Sequence, residues 1–168
     1  MKYKFALAAF LLVLLSSGVA QMPPKGTIYI FRRPYAWPSR YNVFLDGIRI
    51  AQMRSGSYFS VVVDPGAYRL ETTVSAKTVK STAGSINPDE EVTQVDVAAG
   101  QTVYFEMTFA DAHHQGHILS RPNLLATGVF TATPGPVARD RFAGLRPLEA
   151  KRAFDPRVQT AEPDFPSR

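Results

Sequence analysis

Apolar and polar positions alternate with a period of two along the middle of the chain, the pattern of strands that bury one face. Thr27 to Arg32 is β-branched and aromatic on both faces, as a central strand requires. In VFLDGIRI, Val43 to Ile50, Asp46-Gly47 stands between two short apolar stretches. Asp-Gly accepts the positive φ angles of a type I′ turn, so a tight two-residue hairpin is predicted there. Tyr58 to Val63 is a further β run that ends at Asp64-Pro65-Gly66. Proline presets one φ and Gly66 is expected to supply a positive one, giving a type II turn. Tyr68, Leu70, Thr72 and Val74 then share one face, with Arg69, Glu71, Thr73 and Ser75 on the other.

Residues 76 to 91 break the alternation with a long polar connection that includes Asp89-Glu90-Glu91. Val92 to Val97 resumes the sheet, and Ala99-Gly100 turns the chain into Val103, Phe105, Met107 and Phe109, all on one face. Apolar stretches around Ile118-Leu119 and Leu124 to Thr133 offer one or two more strands. About seven short strands separated by turn chemistry predict an all-β chain, an antiparallel β-sandwich of transthyretin or immunoglobulin type, with an open barrel as the other architecture the pattern fits. Pro134-Gly135-Pro136 marks the expected end of the regular body. A short C-terminal helix is expected near Leu145 to Phe154, with Pro147 in its first turn, and the proline-rich last dozen residues are expected to be disordered.

The N-terminus carries an address. Lys2 and Lys4 precede an almost unbroken apolar run from Phe5 to Leu15, followed by small residues up to Ala20. This reads as a secretory signal peptide cut after Ala20, since the run is too short to span a bilayer. The expected organisation is a signal peptide (1–20), a β-sandwich domain (21–136) and a partly disordered extension (137–168). The expected location is periplasmic or secreted. The chain has no cysteine, so disulfides, thiol chemistry and a lipid anchor are excluded.

The formal charge of +5 shrinks on inspection. Residues 21 to 136 carry 10 Lys/Arg against 9 Asp/Glu, and residues 137 to 168 carry 7 against 5. No concentrated basic footprint remains for nucleic acid.

Three stretches, VFLDGIRI (Val43 to Ile50), YFSVVVDPGAYRL (Tyr58 to Leu70) and AAGQTVYFEM (Ala98 to Met107), come in an order that resembles a family of small bacterial envelope domains, often lipoproteins, classed only as a domain of unknown function. The resemblance runs from Thr27 to Phe109. It implies a sandwich fold and an extracytoplasmic location, and brings no catalytic residues with it. The chain departs from the lipoprotein members in lacking the lipid-accepting cysteine.

Two segments hold candidate chemistry. DAHHQGH, Asp111 to His117, contains all three histidines. Asp111, His113, His114 and His117 offer the nitrogen and oxygen donors that bind zinc or copper. RRPYAWPSRY, Arg32 to Tyr41, contains the only tryptophan. Arg32, Arg33, Tyr35, Trp37 and Arg40 present rings and guanidinium forks suited to a sugar, a carboxylate or a partner protein. No nucleophile elbow or phosphate-cradling glycine loop is present. Glu71 and Glu106 are candidates for glycoside hydrolysis only if they face each other across a cleft, and their outward strand positions predict plain solvent exposure. The expectation is therefore a non-enzymatic exported module without a required cofactor that binds an envelope protein or glycan. The alternative is a periplasmic zinc- or copper-binding protein.

Overall fold

A computed structural model describes residues 22–34, 40–74, 92–109 and 128–165, with backbone alone for Val74 and Phe109. These residues form ten strands: β1 (Gly26–Arg32), β2 (Tyr41–Leu45), β3 (Ile48–Met53), β4 (Ser57–Val63), β5 (Gly66–Val74), β6 (Thr93–Val97), β7 (Thr102–Phe109), β8 (Gly128–Ala132), β9 (Arg146–Pro147) and β10 (Val158–Gln159). One α-helix, α1 (Gly135–Phe142), and a 3-10 turn (Ala150–Arg152) complete them. The protein is all-β, built from two sheets. One runs β10-β4-β1-β7-β8 with β9 also on β4, and the other runs β3-β2-β5-β6.

Side chains from both sheets enter one apolar cluster. Ile28 and Ile30 of β1 meet Val43 and Leu45 of β2, Phe59 and Val61 of β4, Leu70 of β5 and Met107 of β7. Each is essentially buried, which stabilises the fold by about 1.5–3 kcal/mol per large apolar side chain. With no cysteine in the chain, this burial is the main cohesive term. A polar bridge also crosses between the sheets: the Thr72 hydroxyl on β5 donates to the Gly128 carbonyl on β8 at 2.9 Å.

The expected hairpin is present at Asp46-Gly47, with φ of 50° and 76°. The Asp46 carboxylate accepts from the Arg69 amide at 2.8 Å and so pins the tip to β5. The expected turn at Gly66 takes another form. Gly66 does not adopt a positive φ and already belongs to β5, while the Tyr68 hydroxyl donates to the Asp64 carbonyl at 2.5 Å and holds the corner.

Strictly antiparallel pairing also fails, at the centre of the larger sheet. β1 runs parallel to β7, with Tyr29 opposite Tyr104. The turn before β7 explains this, because it docks on the start of β1. The Gly100 amide donates to the Pro24 carbonyl at 3.0 Å and the Thr27 amide to the Gln101 carbonyl at 2.8 Å. Both strands therefore leave from the same end.

The C-terminal segment departs most from expectation. Pro134-Gly135-Pro136 starts a helix instead of ending the regular body. The proline falls in the first turn, where a missing N–H costs nothing, and Gly144 (φ 80°) closes the helix end. Residues 145–154, expected to be helical, hold only the 3-10 turn at Ala150–Arg152 and otherwise run along sheet edges. The Arg146 and Leu148 amides donate to the Gly56 and Tyr58 carbonyls, and Leu148 enters the main core. The Phe154 amide donates to the Ile50 carbonyl on β3, and β10 then pairs with Val61 and Ser60 of β4. The tail expected to be disordered is thus described up to Phe165, with Pro163 buried.

Gly26 leaves no room for a side chain, since a Cβ there would lie 2.2 Å from Val97 Cγ1. Gly26→Ala should lower the unfolding free energy by about 1–3 kcal/mol, as overpacked sites do, and urea titration would measure it. Leu148→Ala should cost about 2–5 kcal/mol in the same assay, because Leu148 is buried in the main core.

Candidate functional site

Alternation along β1, β4 and β7 sends one set of side chains into the core and the other to the outer face of the larger sheet. That outer face holds Tyr29, Phe31, Tyr58 and Tyr104, and α1 lays Ala138 and Phe142 across it. The Phe142 ring centroid is 4.8 Å from Phe31, 5.2 Å from Tyr58 and 6.0 Å from Tyr29. The end of the described chain brings Phe165 onto Tyr104 at 5.5 Å, and Tyr104 stacks on Tyr29 at the same spacing, a three-ring column. Each such aromatic pair adds about 0.5–1.5 kcal/mol beyond its area burial. Burial raises the phenol pKa of Tyr29, Tyr58 and Tyr104, so these hydroxyls remain neutral over the physiological range.

Beside the rings sits a buried carboxylate. Glu106 follows Tyr104 on the same face of β7, and its side chain is only 3% exposed. One oxygen accepts from Arg33 Nε and the other from Arg141 Nη1, so the carboxylate ties the end of β1 to α1. Exposure to solvent was the expectation for Glu106. Helix α1 covers it, and pairing to both carboxylate oxygens makes that burial tolerable. Glu71, the other carboxylate considered for hydrolysis, lies on the outer face of the smaller sheet with Arg69 at 3.1 Å. The two acids therefore occupy opposite outer faces and share no cleft.

Between the end of α1 and the returning C-terminal run lies an open groove of about 400 Å³, lined by Tyr58, Arg139, Phe142, Leu145, Glu162 and Phe165 among others. The Arg139 guanidinium stands 5.4 Å over the Phe165 ring. The run that carries Phe165 is anchored upstream by Asp155. Its carboxylate accepts from Arg157 Nε and Nη2, both at 2.9 Å, and from the Arg157 amide at 2.8 Å.

The arginines expected to act together are separated by the strand period. Arg32 is 1% exposed, with its guanidinium 5.1 Å from the Tyr41 ring centroid. Arg33, one residue on, projects to the opposite face and binds Glu106. Arg40 lies immediately before β2, across residues 35–39 from the other two. Tyr35 and Trp37 lie outside the described residues, as do Asp111, His113, His114, His117 and the signal segment. Among the described residues no group of three or more His, Cys, Asp or Glu could hold a metal ion, and no helix is long and apolar enough to cross a membrane.

Sequence reasoning did not identify Glu106, Phe142, Arg139 or Phe165 as members of one site. One signal was available: Tyr104 and Glu106 share the β7 face opposite Phe105 and Met107, which is unusually bulky for a face in water. Set against known proteins, the chain matches no family model, no curated protein and no solved structure.

Glu106→Gln should cost about 1–3 kcal/mol, the range for losing hydrogen bonds to charged groups, with Arg33 and Arg141 still able to reach water. Chemical denaturation would read this directly. Hydrogen bonds from Arg157 hold the Asp155 carboxyl below its ordinary 3.8. A depressed native pKa adds stability that is present above the unfolded value and lost as pH falls through the native one. The unfolding midpoint should therefore drop as pH decreases below 3.8, and Arg157→Gln should flatten that part of the profile.

Proposed function

We propose that the chain is an exported, non-enzymatic β-sandwich protein that binds an envelope glycan or protein, and that the ligand seats in the groove over the outer face of the larger sheet. The observation that carries this is the groove's composition. Tyr58, Phe142 and Phe165 supply ring surface, while Arg139 and Glu162 supply a donor fork and an acceptor pair at the rim. A glycan matches that mixture best, because sugar rings offer C–H faces to aromatics and hydroxyls to charged side chains. The rings are held by each other and by the sheet behind them, so little side-chain freedom is lost on binding.

Two further features support the module reading. The two sheets sharing one core are consistent with a sandwich, in which a rigid body presents loops and one decorated face. Burial raises the tyrosine phenol pKa values and keeps the hydroxyls neutral, which suits hydrogen bonding rather than proton transfer.

The purified protein should bind oligosaccharides prepared from an envelope extract with saturable, micromolar affinity by calorimetry. Arg139→Ala and Glu162→Gln should each weaken binding by at least tenfold while leaving the unfolding midpoint near that of the parent. Absence of saturable binding to glycans and to envelope proteins alike would sink the proposal. Binding unaffected by both substitutions would move the site elsewhere.

A further inference from the structure

A second cluster, on the other sheet, has a chemistry that the groove does not use. Tyr41 pairs with Met53, so the register sets Arg40 opposite Arg54 at the ends of β2 and β3. Asn42 and Gln52 occupy the next positions on that face, with Gln52 Nε2 donating to Asn42 Oδ1 at 3.4 Å. The 3-10 turn lies against them. Arg152, whose side chain is 7% exposed, donates from Nη1 to Gln52 Oε1 at 2.6 Å and is thereby locked in place.

Three cations converge on one carboxylate. Arg54 Nη1 is 2.6 Å from Glu149 Oε1, while Lys151 Nζ at 3.1 Å and Arg152 Nε at 3.5 Å approach Oε2. Three positive charges thus share a single negative one. The Nε donor of Arg54 is buried and has no hydrogen-bond partner among the described residues, and Arg152 Nε has only the long 3.5 Å approach to Glu149. Glu149 itself is two-fifths exposed and stands at the start of the short 3-10 turn.

We propose that this cluster binds a phosphate group, and that Glu149 occupies the place of the ligand when none is bound. A phosphate dianion would balance the surplus charge, and its several acceptor oxygens could take up the spare Arg54 Nε donor and shorten the contact to Arg152 Nε, which a single carboxylate does not do. The proposal is independent of the aromatic groove, which lies on the opposite outer face.

The test is a calorimetric titration of the purified protein with inorganic phosphate at constant ionic strength. The parent should bind saturably, and Glu149→Gln should bind at least fivefold more tightly because the internal competitor is gone. Arg54→Gln and Lys151→Gln should each weaken binding by about tenfold. A cluster that only braces the turn would give no gain in Glu149→Gln. Sedimentation with phosphatidylcholine vesicles doped with phosphatidic acid identifies the source of the phosphate. Association lost in Arg54→Gln assigns a lipid headgroup, and phosphate binding without vesicle association assigns a soluble ester. No saturable phosphate binding in the parent and in Glu149→Gln overturns the site, as does binding unchanged by Arg54→Gln and Lys151→Gln.

Discussion

The outer edge of β4 must be paired, and the described residues after α1 take their folded form because they pair it. An open strand edge beside an apolar core exposes unsatisfied amides and carbonyls and invites association with other chains. Here β9 covers Ser57 and Tyr58, β10 covers Ser60 and Val61, and the intervening turn crosses to bridge Ala51 on β3. Strands β3 and β4 are consecutive but lie in different sheets, joined through residues 54–56. One strap can therefore close both edges at once. Both candidate sites follow from it. On the larger sheet it delivers Phe142 and Phe165, and on the smaller one Glu149, Lys151 and Arg152.

The strap needs a fixed starting point, and Glu106 provides it. A carboxylate on a sheet face covered by a helix is costly unless its oxygens are satisfied. Arg33 and Arg141 satisfy them from two separate elements, so the charge holds α1 to the strands at one position along its length. The surrounding rings give adhesion without direction, whereas the ion pairs supply the direction. This division of labour explains how a helix with a weakly amphipathic sequence finds one seat.

Much of the body was legible in the sequence because period-two patterning and turn residues are local signals. The Asp46-Gly47 hairpin, the Gly100 turn and the core side of Phe105 and Met107 all follow from neighbours within a few positions. What escaped was nonlocal. Nothing in the residues flanking Glu106 announces arginines from opposite ends of the chain. Gly66 read as a positive-φ residue because Pro-Gly so often is one, and a tyrosine hydroxyl two residues on achieved the corner differently. Pro134 and Pro136 read as the end of the regular body and Pro147 as part of a helix's first turn, yet the first two open a helix and Pro147 sits on a sheet edge, where a missing N–H is harmless. Arg32 and Arg33 looked like one binding feature until the strand placed them on opposite faces.

The parallel pairing of β1 with β7 has a consequence in time. β1 is among the first strands of the described chain to be synthesised, yet its neighbour Tyr104 and the strap that closes β4 come much later. Contacts so distant along the chain must wait for loop closure, which slows folding. The central strand, its Ile28 and Ile30 already exposed, has no permanent partner on one side until most of the polypeptide is available. Folding of the described residues accordingly waits for β7 and for the run from β9 to β10, and an intermediate that lacks them leaves β1 and β4 each with an open edge.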